Sequence, residues 1–201
     1  MRDIVVKLPK YKIVAFCGEA GSGKDFLLHR FIENNPSYHE IIRTTTRPKR
    51  EKEVDGLNYY FITPELFAEK LLNDEFIEAT VFNNWCYGTS YDSLRVTNIN
   101  IGVFDPDAIR AILSHPNVDL LVFYVKTSTD KIRLLRQLNR EIDPDVNEIM
   151  RRYQSDKLDF ASFEDEFLDQ CIILKNDTTE DYKQALVLMK QKISEFGAKE
   201  D

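Results

Sequence analysis

Short apolar runs bounded by turn residues recur along the chain at Lys12 to Cys17, Ile99 to Phe104, Leu120 to Lys126 and Cys171 to Leu174. Continuous apolar runs of this length predict strands buried on both faces of a parallel sheet. Between them, apolar residues follow helical spacing over Lys24 to Glu33, Pro106 to Leu113, Asp130 to Arg140 and Glu180 to Phe196. In the last of these, Tyr182, Leu186, Met189, Ile193 and Phe196 share one face. Strand and helix alternate, which predicts an α/β sandwich. Two segments interrupt the alternation. Residues 40 to 88 hold short strand-like pieces, Tyr59 to Ile62 and Phe76 to Phe82, around a helix near Pro64 to Leu72, and read as a mixed insertion. Residues 133 to 165 are helical and rich in both charges, with Arg133, Arg136, Arg140, Arg151 and Arg152 among them. No internal repeat or low-complexity segment is present, and Gly197 to Asp201 reads as a frayed tail.

Composition narrows the class. A chain of 201 residues, 43% apolar, suffices for one sizeable core and implies one domain with small insertions. Its formal charge of -7 argues against a surface built for nucleic acid, whose binding rests on many cationic contacts. Cys17, Cys86 and Cys171 are widely spaced and odd in number, so neither a disulfide framework nor a zinc site is implied, and reduced thiols of a cytoplasmic protein are expected. No apolar run reaches membrane-span length, and Met1 to Lys10 lacks the apolar core of a signal peptide. His29, His39 and His115 show no ligand spacing and read as core or surface residues; Trp85 and the phenylalanines read as filling the core or the insertion's hinge.

The strongest chemical signal is Gly18-Glu19-Ala20-Gly21-Ser22-Gly23-Lys24, a G-x-x-x-x-G-K phosphate loop directly after a predicted strand and before a predicted helix. Glycines let backbone N–H groups turn inward around phosphate oxygens, the helix N-terminus adds positive potential, and Lys24 supplies a mobile cation for the β and γ phosphates. Asp25 stands where Ser or Thr offers Mg²⁺ a hydroxyl, and its carboxylate is itself a hard oxygen ligand.

The run Arg43-Thr44-Thr45-Thr46-Arg47-Pro48-Lys49-Arg50, followed by Glu53-Val54-Asp55-Gly56, Tyr59-Tyr60-Phe61, Glu75-Phe76-Ile77-Glu78 and Tyr87-Gly88-Thr89, closely resembles the GMP-binding region of guanylate kinases. With the phosphate loop, the arginines of 133 to 165 and Lys175-Asn176-Asp177, the resemblance covers nearly the whole chain. It implies a P-loop NTPase three-layer sandwich with a mainly parallel central sheet. The core would be residues 1–39, 96–132 and 166–201, the β-rich GMP-binding insertion 40–95 and the helical lid 133–165. The implied reaction moves the γ-phosphoryl of ATP to GMP or dGMP, with Mg²⁺, in a cytoplasmic monomer or homodimer that needs no nucleic acid or membrane.

The resemblance assigns Arg47, Arg50, Tyr59 and Tyr87 to the acceptor phosphate, a role that forked guanidinium donors and phenolic hydroxyls suit. It sets Glu78 and Asp105 toward the N1–H and exocyclic amine of guanine, with Thr89 toward O6 and Gly88 beside it. Read without the family, Glu78 is an exposed strand acid and Asp105 a helix N-cap before Pro106. Where guanylate kinases carry a serine against the base, this chain has Arg43, so Arg43 or Thr44 is expected to supply the contact; arginine is a good partner for guanine O6 and N7. The family's D-x-D reads Val103-Phe104-Asp105 here, and Asp25 is expected to restore a metal-binding acid on the other side of the ion. The spacing Arg136-x-x-x-Arg140 puts both groups on one helix face, and with Arg152 they resemble the family's transfer clamp around Lys24. Arg133 and Arg151 read as a solvated face, and Asn176 resembles a residue near the adenine of ATP. A broader deoxynucleotide kinase and a catalytically silent guanylate-kinase-like binding module are the alternatives.

Overall fold

The computed structural model describes residues 10–51, 53–82, 84–140 and 142–198. In chain order the elements are β1 (Tyr11–Cys17), α1 (Lys24–Asn34), β2 (His39–Glu40), β3 (Thr44–Thr45), β4 (Tyr60–Phe61), α2 (Pro64–Leu72), β5 (Phe76–Phe82), β6 (Trp85–Ser90), β7 (Ile99–Val103), α3 (Pro106–Leu113), β8 (Val118–Lys126), α4 (Asp130–Leu138), α5 (Val146–Phe167), β9 (Cys171–Lys175) and α6 (Thr179–Gly197). Each strand run and helical stretch the apolar pattern predicted has its counterpart, most with ends shifted by a residue or two, but the helical 133–165 segment breaks between Leu138 and Val146, and β2, β3 and β6 are additions the pattern did not show.

Five strands form one sheet in the order β2-β7-β1-β8-β9, and four form a second in the order β4-β3-β6-β5. Strands β8 and β9 pair in parallel, Val122 opposite Cys171 through Lys126 opposite Lys175. Their connection runs through α4 and α5, as a parallel crossover requires. The second sheet is mixed: β3 is parallel to β4 and antiparallel to β6, and β5 and β6 form a hairpin. The chain divides into two compact units, one made of the chain up to Ile13, Ser37–Asn100 and Asp107–Leu120, the other of Val14–Pro36, Ile101–Pro106 and the chain from Leu121 onward.

In the second unit the core is Val14 to Cys17 of β1, Leu27, Leu28 and Phe31 of α1, Val122 to Val125 of β8, and Ala185, Met189, Ile193 and Phe196 of α6, all buried. Phe160 stacks on Tyr124 at 5.6 Å and Phe163 meets the same ring edge-on. Each such aromatic burial is worth about 2–3 kcal/mol against exposure. The first unit has a smaller core in which Phe67 of α2 stacks on Phe76 of β5 at 4.6 Å, beside buried Ile41, Ile77 and Leu94.

Helix starts follow local chemistry. Thr63 caps α2 through the Leu66 amide with Pro64 in the first turn, Asp145 caps α5 through the Glu148 amide, and Thr178 and Asp181 form a reciprocal capping box on α6. Helix α6 runs through Gly197, so the expected tail is shorter than residues 197–201, and 199–201 lie outside the described residues. Trp85 is 36% exposed on the β5–β6 hairpin, so of its two expected places it lies in the insertion and not in the core; several phenylalanines are buried, whereas Phe26 is exposed. No helix among the described residues is long and apolar enough to cross a membrane.

Candidate active site

The phosphate loop leaves β1 after Cys17 and enters α1 at Lys24. Its turn depends on two glycines in the left-handed region, Gly21 at φ 81° and Gly23 at φ 91°. A Cβ at Gly21 would run into the backbone carbonyl of Arg133, and one at Gly23 into the Asn176 amide nitrogen. The loop's carbonyls are held by side chains from other elements. The Ala20 carbonyl accepts from Arg133 Nη1 at 3.2 Å and Gln137 Nε2 at 3.3 Å. The Ser22 carbonyl accepts from Arg136 Nη1 at 3.1 Å and Asn176 Nδ2 at 2.8 Å. Arg136 also gives Nη2 to the Asn176 carbonyl at 2.7 Å, tying the loop after β9 to the same group. The Ser22 amide donates to the Glu19 carbonyl at 3.1 Å. In a trans peptide the next N–H points away from the carbonyl, so the Gly21 and Gly23 amides face away from these side-chain donors. That is the orientation a phosphate cradle requires.

Arg133 overturns the expectation of a solvated arginine. It is 1% exposed, the largest fully buried side chain described, and its Nη2 lies 2.8 Å from both Glu19 and Asp130. Its guanidinium also lies over the Tyr153 ring at 5.4 Å, and Tyr153 donates its hydroxyl to Asp130 at 2.8 Å. A buried guanidinium needs such compensation, since an uncompensated buried charge costs several kcal/mol. The Arg133 guanidinium, with Lys157 and Tyr153, holds Asp130 well below the usual carboxylate range against the opposing effect of burial. Burial instead pushes Glu19 up, although Arg133 pulls it the other way. The helix pattern alone hid this, because the partners Glu19 and Asp156 are remote in sequence; Asp130, one turn before Arg133, was the one local signal.

Arg140 also departs from expectation. Helix α4 stops at Leu138 with Asn139 as its C-cap, so Arg136 and Arg140 do not share a helix face; Arg140 is exposed beyond the helix end. Arg152 lies on α5 and donates Nε to Glu148 at 2.7 Å, and Arg151 donates to the same carboxylate from an exposed position, as expected. Lys24 Nζ lies 3.9 Å from the Asp25 carboxylate, which is 68% exposed in the first turn of α1. Among the described residues, no three His, Cys, Asp or Glu side chains cluster as a ready metal cage. The Ser22 hydroxyl is buried with no hydrogen-bond partner among the described residues. Cys17, at the foot of the loop, is fully buried and burial pushes its thiol far up.

The four-stranded sheet of the first unit gathers a second set. Thr44 pairs with Gly88 and Thr45 with Tyr87, so β3 carries Arg43 to Arg47 alongside β6. Arg47 lies over the rings of Tyr59 and Phe61, each at 5.6 Å, and Tyr59 meets Tyr87 edge-on at 6.0 Å. Its Nη2 donates to Glu53 at 2.7 Å, while the Arg50 amide donates to the other oxygen of Glu53 at 2.8 Å. Burial works against the Glu53 charge, but those two donors outweigh it and hold the carboxyl below its ordinary value. Arg50 itself is exposed.

Glu78 is 4% exposed and not the surface acid that strand pattern alone suggests. Its Oε1 accepts from Arg43 Nε at 3.2 Å, Arg43 Nη2 at 2.9 Å and the Thr89 hydroxyl at 2.6 Å. Arg43, Thr44 and Thr89 are likewise buried, and Arg43 lies over the Tyr87 ring at 5.9 Å. In the second unit, Val103 ends β7 and the half-buried Asp105 directly precedes α3.

The guanylate kinase family model matches residues 10–192. A guanylate kinase of Chlorobium luteolum is 32% identical over 182 residues, covering 88% of this chain and 89% of its own. The human guanylate kinase is 27% identical over 186 residues, covering 90% and 92% respectively. A crystal structure of guanylate kinase from Anaplasma phagocytophilum superposes with a TM-score of 0.65 over 96% of this chain and 89% of its own, at 16% identity, which establishes likeness of fold. A phosphate loop ahead of α1, a mixed four-stranded sheet carrying arginines and tyrosines, and sequence similarity along nearly the whole chain agree: it belongs to the guanylate kinase family.

Proposed function

We propose that this protein transfers the γ-phosphoryl group of ATP to GMP or dGMP, giving ADP and GDP or dGDP. The observation that carries the reading is the convergence of Arg47, Tyr59 and Tyr87 on the four-stranded sheet, one guanidinium and two phenols within about one ring's reach, in a chain that also holds a phosphate loop. The acceptor phosphate, carrying nearly two charges near neutrality, takes the place of Glu53 on Arg47, with Arg50 closing from solvent and the two tyrosines donating hydroxyls. At the base end, Glu78 and Asp105 accept the N1–H and amine of guanine, while Arg43, Thr44, Gly88 and Thr89 frame O6 and N7.

Residues 18–25 hold the ATP phosphates. Backbone amides of this loop and the Lys24 ammonium surround the β and γ oxygens, with Asn176 on the adenine side. Phosphoryl transfer requires alignment and charge neutralisation more than covalent chemistry, so Lys24, Arg140 and Arg152 are assigned the charge that develops on the transferred group, while Arg136, expected in the same clamp, has both guanidinium nitrogens on the Ser22 and Asn176 carbonyls and holds the loop. Mg²⁺, when bound, neutralises the β and γ phosphates, and the exposed Asp25 carboxylate is the donor that fits it as a hard oxygen ligand. We assign residues 40–95 as the acceptor insertion and 133–165 as the lid of one domain, working in the cytoplasm as a monomer or homodimer.

A coupled assay with ATP and a panel of ribo- and deoxynucleoside monophosphates tests this. Turnover of GMP or dGMP at least tenfold above the other acceptors is expected, since a carboxylate facing adenine N1 leaves an unmatched acceptor worth about 1–3 kcal/mol. Comparable turnover of several bases would favour the broader deoxynucleotide kinase, a reading that Arg43 on Glu78 lends some weight. ATP binding without turnover of any acceptor would favour a silent binding module.

A further inference from the structure

Helix α5 reaches the phosphate loop through one residue outside every role assigned above. Asp156 accepts a hydrogen bond from the Ala20 amide on its Oδ2 at 2.6 Å, across 136 positions of sequence. Arg133 Nη1 lies 3.6 Å from the same oxygen, and the Asp156 side chain is 13% exposed. Lys24 and Arg133 both act on its charge favourably, Asp159 acts against it, and burial is the largest influence, pushing the carboxyl up.

These surroundings describe a phosphate's place more closely than a carboxylate's. Ala20 lies inside the Gly18–Lys24 loop, whose amides serve in such loops to bind phosphate oxygens, and Lys24 is the loop's cation. Asp156 is held there by an amide, a guanidinium and the charge of the loop lysine. One amide hydrogen cannot serve both a carboxylate and a phosphate oxygen, and the two anions repel at this range.

We propose that Asp156 is a positioning residue of the phosphate site whose carboxylate stands where a phosphate oxygen of ATP binds, and that ATP enters by exchanging with it. The proposal rests on the reading of residues 18–25 as the ATP phosphate site. The exchange is chemically balanced: the Ala20 amide keeps one anionic acceptor, and Arg133, on losing Asp156, keeps Glu19 and Asp130. No buried cation is orphaned. Arg152 stands one turn before Asp156 on α5, so arrival of the phosphates breaks a direct hydrogen bond between the loop and the helix that carries this clamp arginine, while Tyr153 keeps that helix on Asp130.

The test compares the wild-type chain with Asp156→Ala, Asp156→Asn and Asp156→Glu, measuring ATP, ADP and adenosine binding by calorimetry and the KM for GMP by coupled assay. Removing a competing charge-assisted hydrogen bond is expected to tighten ATP and ADP about tenfold in Asp156→Ala, and by less in Asp156→Asn, which keeps an acceptor without the charge. Adenosine affinity and the GMP KM are expected to stay unchanged. Asp156→Glu, which keeps the charge, is expected to bind ATP no tighter than the wild type. ATP binding that is unchanged or weaker in Asp156→Ala and Asp156→Asn would overturn the proposal, as would tightening of the same size in Asp156→Glu or an equal tightening of adenosine, which signals general stiffening of the site. Melting temperatures identify an Asp156→Ala chain that fails to fold, in which case the isosteric Asp156→Asn decides. A wild-type chain that binds no ATP refutes the reading of the loop itself; one that binds ATP, with variants no tighter, refutes only the role of Asp156.

Discussion

Arg43 gives its Nε and Nη2 hydrogens to the same oxygen of Glu78, at 3.2 and 2.9 Å, and the Thr89 hydroxyl reaches that oxygen as well. Truncating the arginine strips a buried carboxylate of its cation. Arg43→Ala is therefore expected to lower stability by about 3 kcal/mol, as breaking one side of a buried pair does. The GMP KM should rise about tenfold if the guanidinium also reads the base. Denaturant titration and steady-state kinetics measure the two effects separately. The double variant Arg43→Ala with Glu78→Gln is expected to regain most of the stability without regaining base selectivity. An unchanged GMP KM in Arg43→Ala would remove Arg43 from the base site.

Gly21→Ala tests the loop geometry. The residue would sit at a φ of 81° with its new methyl against the Arg133 carbonyl. A left-handed alanine costs about 1 kcal/mol before any clash, and the clash is with backbone that cannot swing aside. We expect a drop in melting temperature and a large loss of ATP affinity, with GMP affinity retained. An alanine variant that binds ATP normally would show that the loop tolerates a different backbone path.

The proposed role of Asp25 as a Mg²⁺ ligand is tested by metal titration. The Mg²⁺ concentration for half-maximal turnover is expected to rise severalfold in Asp25→Ala, and Asp25→Ser, which restores a hydroxyl, should recover part of the difference. Titrating Mg²⁺ at fixed ATP reads this directly. If the alanine variant keeps the wild-type Mg²⁺ dependence, the carboxylate is not a ligand.

Glu148 is one of several carboxyls, Asp130 among them, whose depressed values contribute to acid stability. Arg151 first, then Arg152, hold the Glu148 carboxyl down at about 2 from an ordinary 4.5, with burial opposing. A carboxyl whose folded value is depressed contributes stability above its unfolded value and loses it as pH falls through the folded one. That contribution should therefore fade between about 4.5 and about 2. Glu19 and Asp156 are pushed up by burial and act in the opposite sense, favouring the folded form once they protonate. Denaturation midpoints across this range should slope less in Glu148→Gln than in the wild type. Identical slopes would place the acid sensitivity elsewhere.

What the sequence revealed and what it concealed divide along the range of the interactions. Helix and strand positions came from spacing within a few residues, and the loop motif carries its own geometry in its glycines, so both were legible. Arg133 was misread because a helix wheel shows which residues share a face, not that Glu19 will approach that face from across the fold. Arg140 was misplaced on the same helix as Arg136 because the pattern continued past Leu138, where the chain turns at Asn139. Glu53 was visible within a motif, but its hold on Arg47 emerges only once the loop after β3 folds back. Strand β6 was hidden because the apolar Trp85-Cys86-Tyr87 is followed by Gly88-Thr89-Ser90 with neither alternation nor a long apolar run; pairing with β5 and β3 makes it a strand.

The guanidinium, amide and carboxamide donors that grip the carbonyls of Ala20 and Ser22 come from α4 and from the turn after β9. The loop's shape is thus set in large part by side chains that grip its carbonyls, with Asp156 holding the Ala20 amide. A nucleotide meeting such a loop gives up little to order it, so its binding energy remains available for the transition state. The same grip lets product depart without the loop collapsing behind it, and each catalytic cycle begins from a cradle already formed.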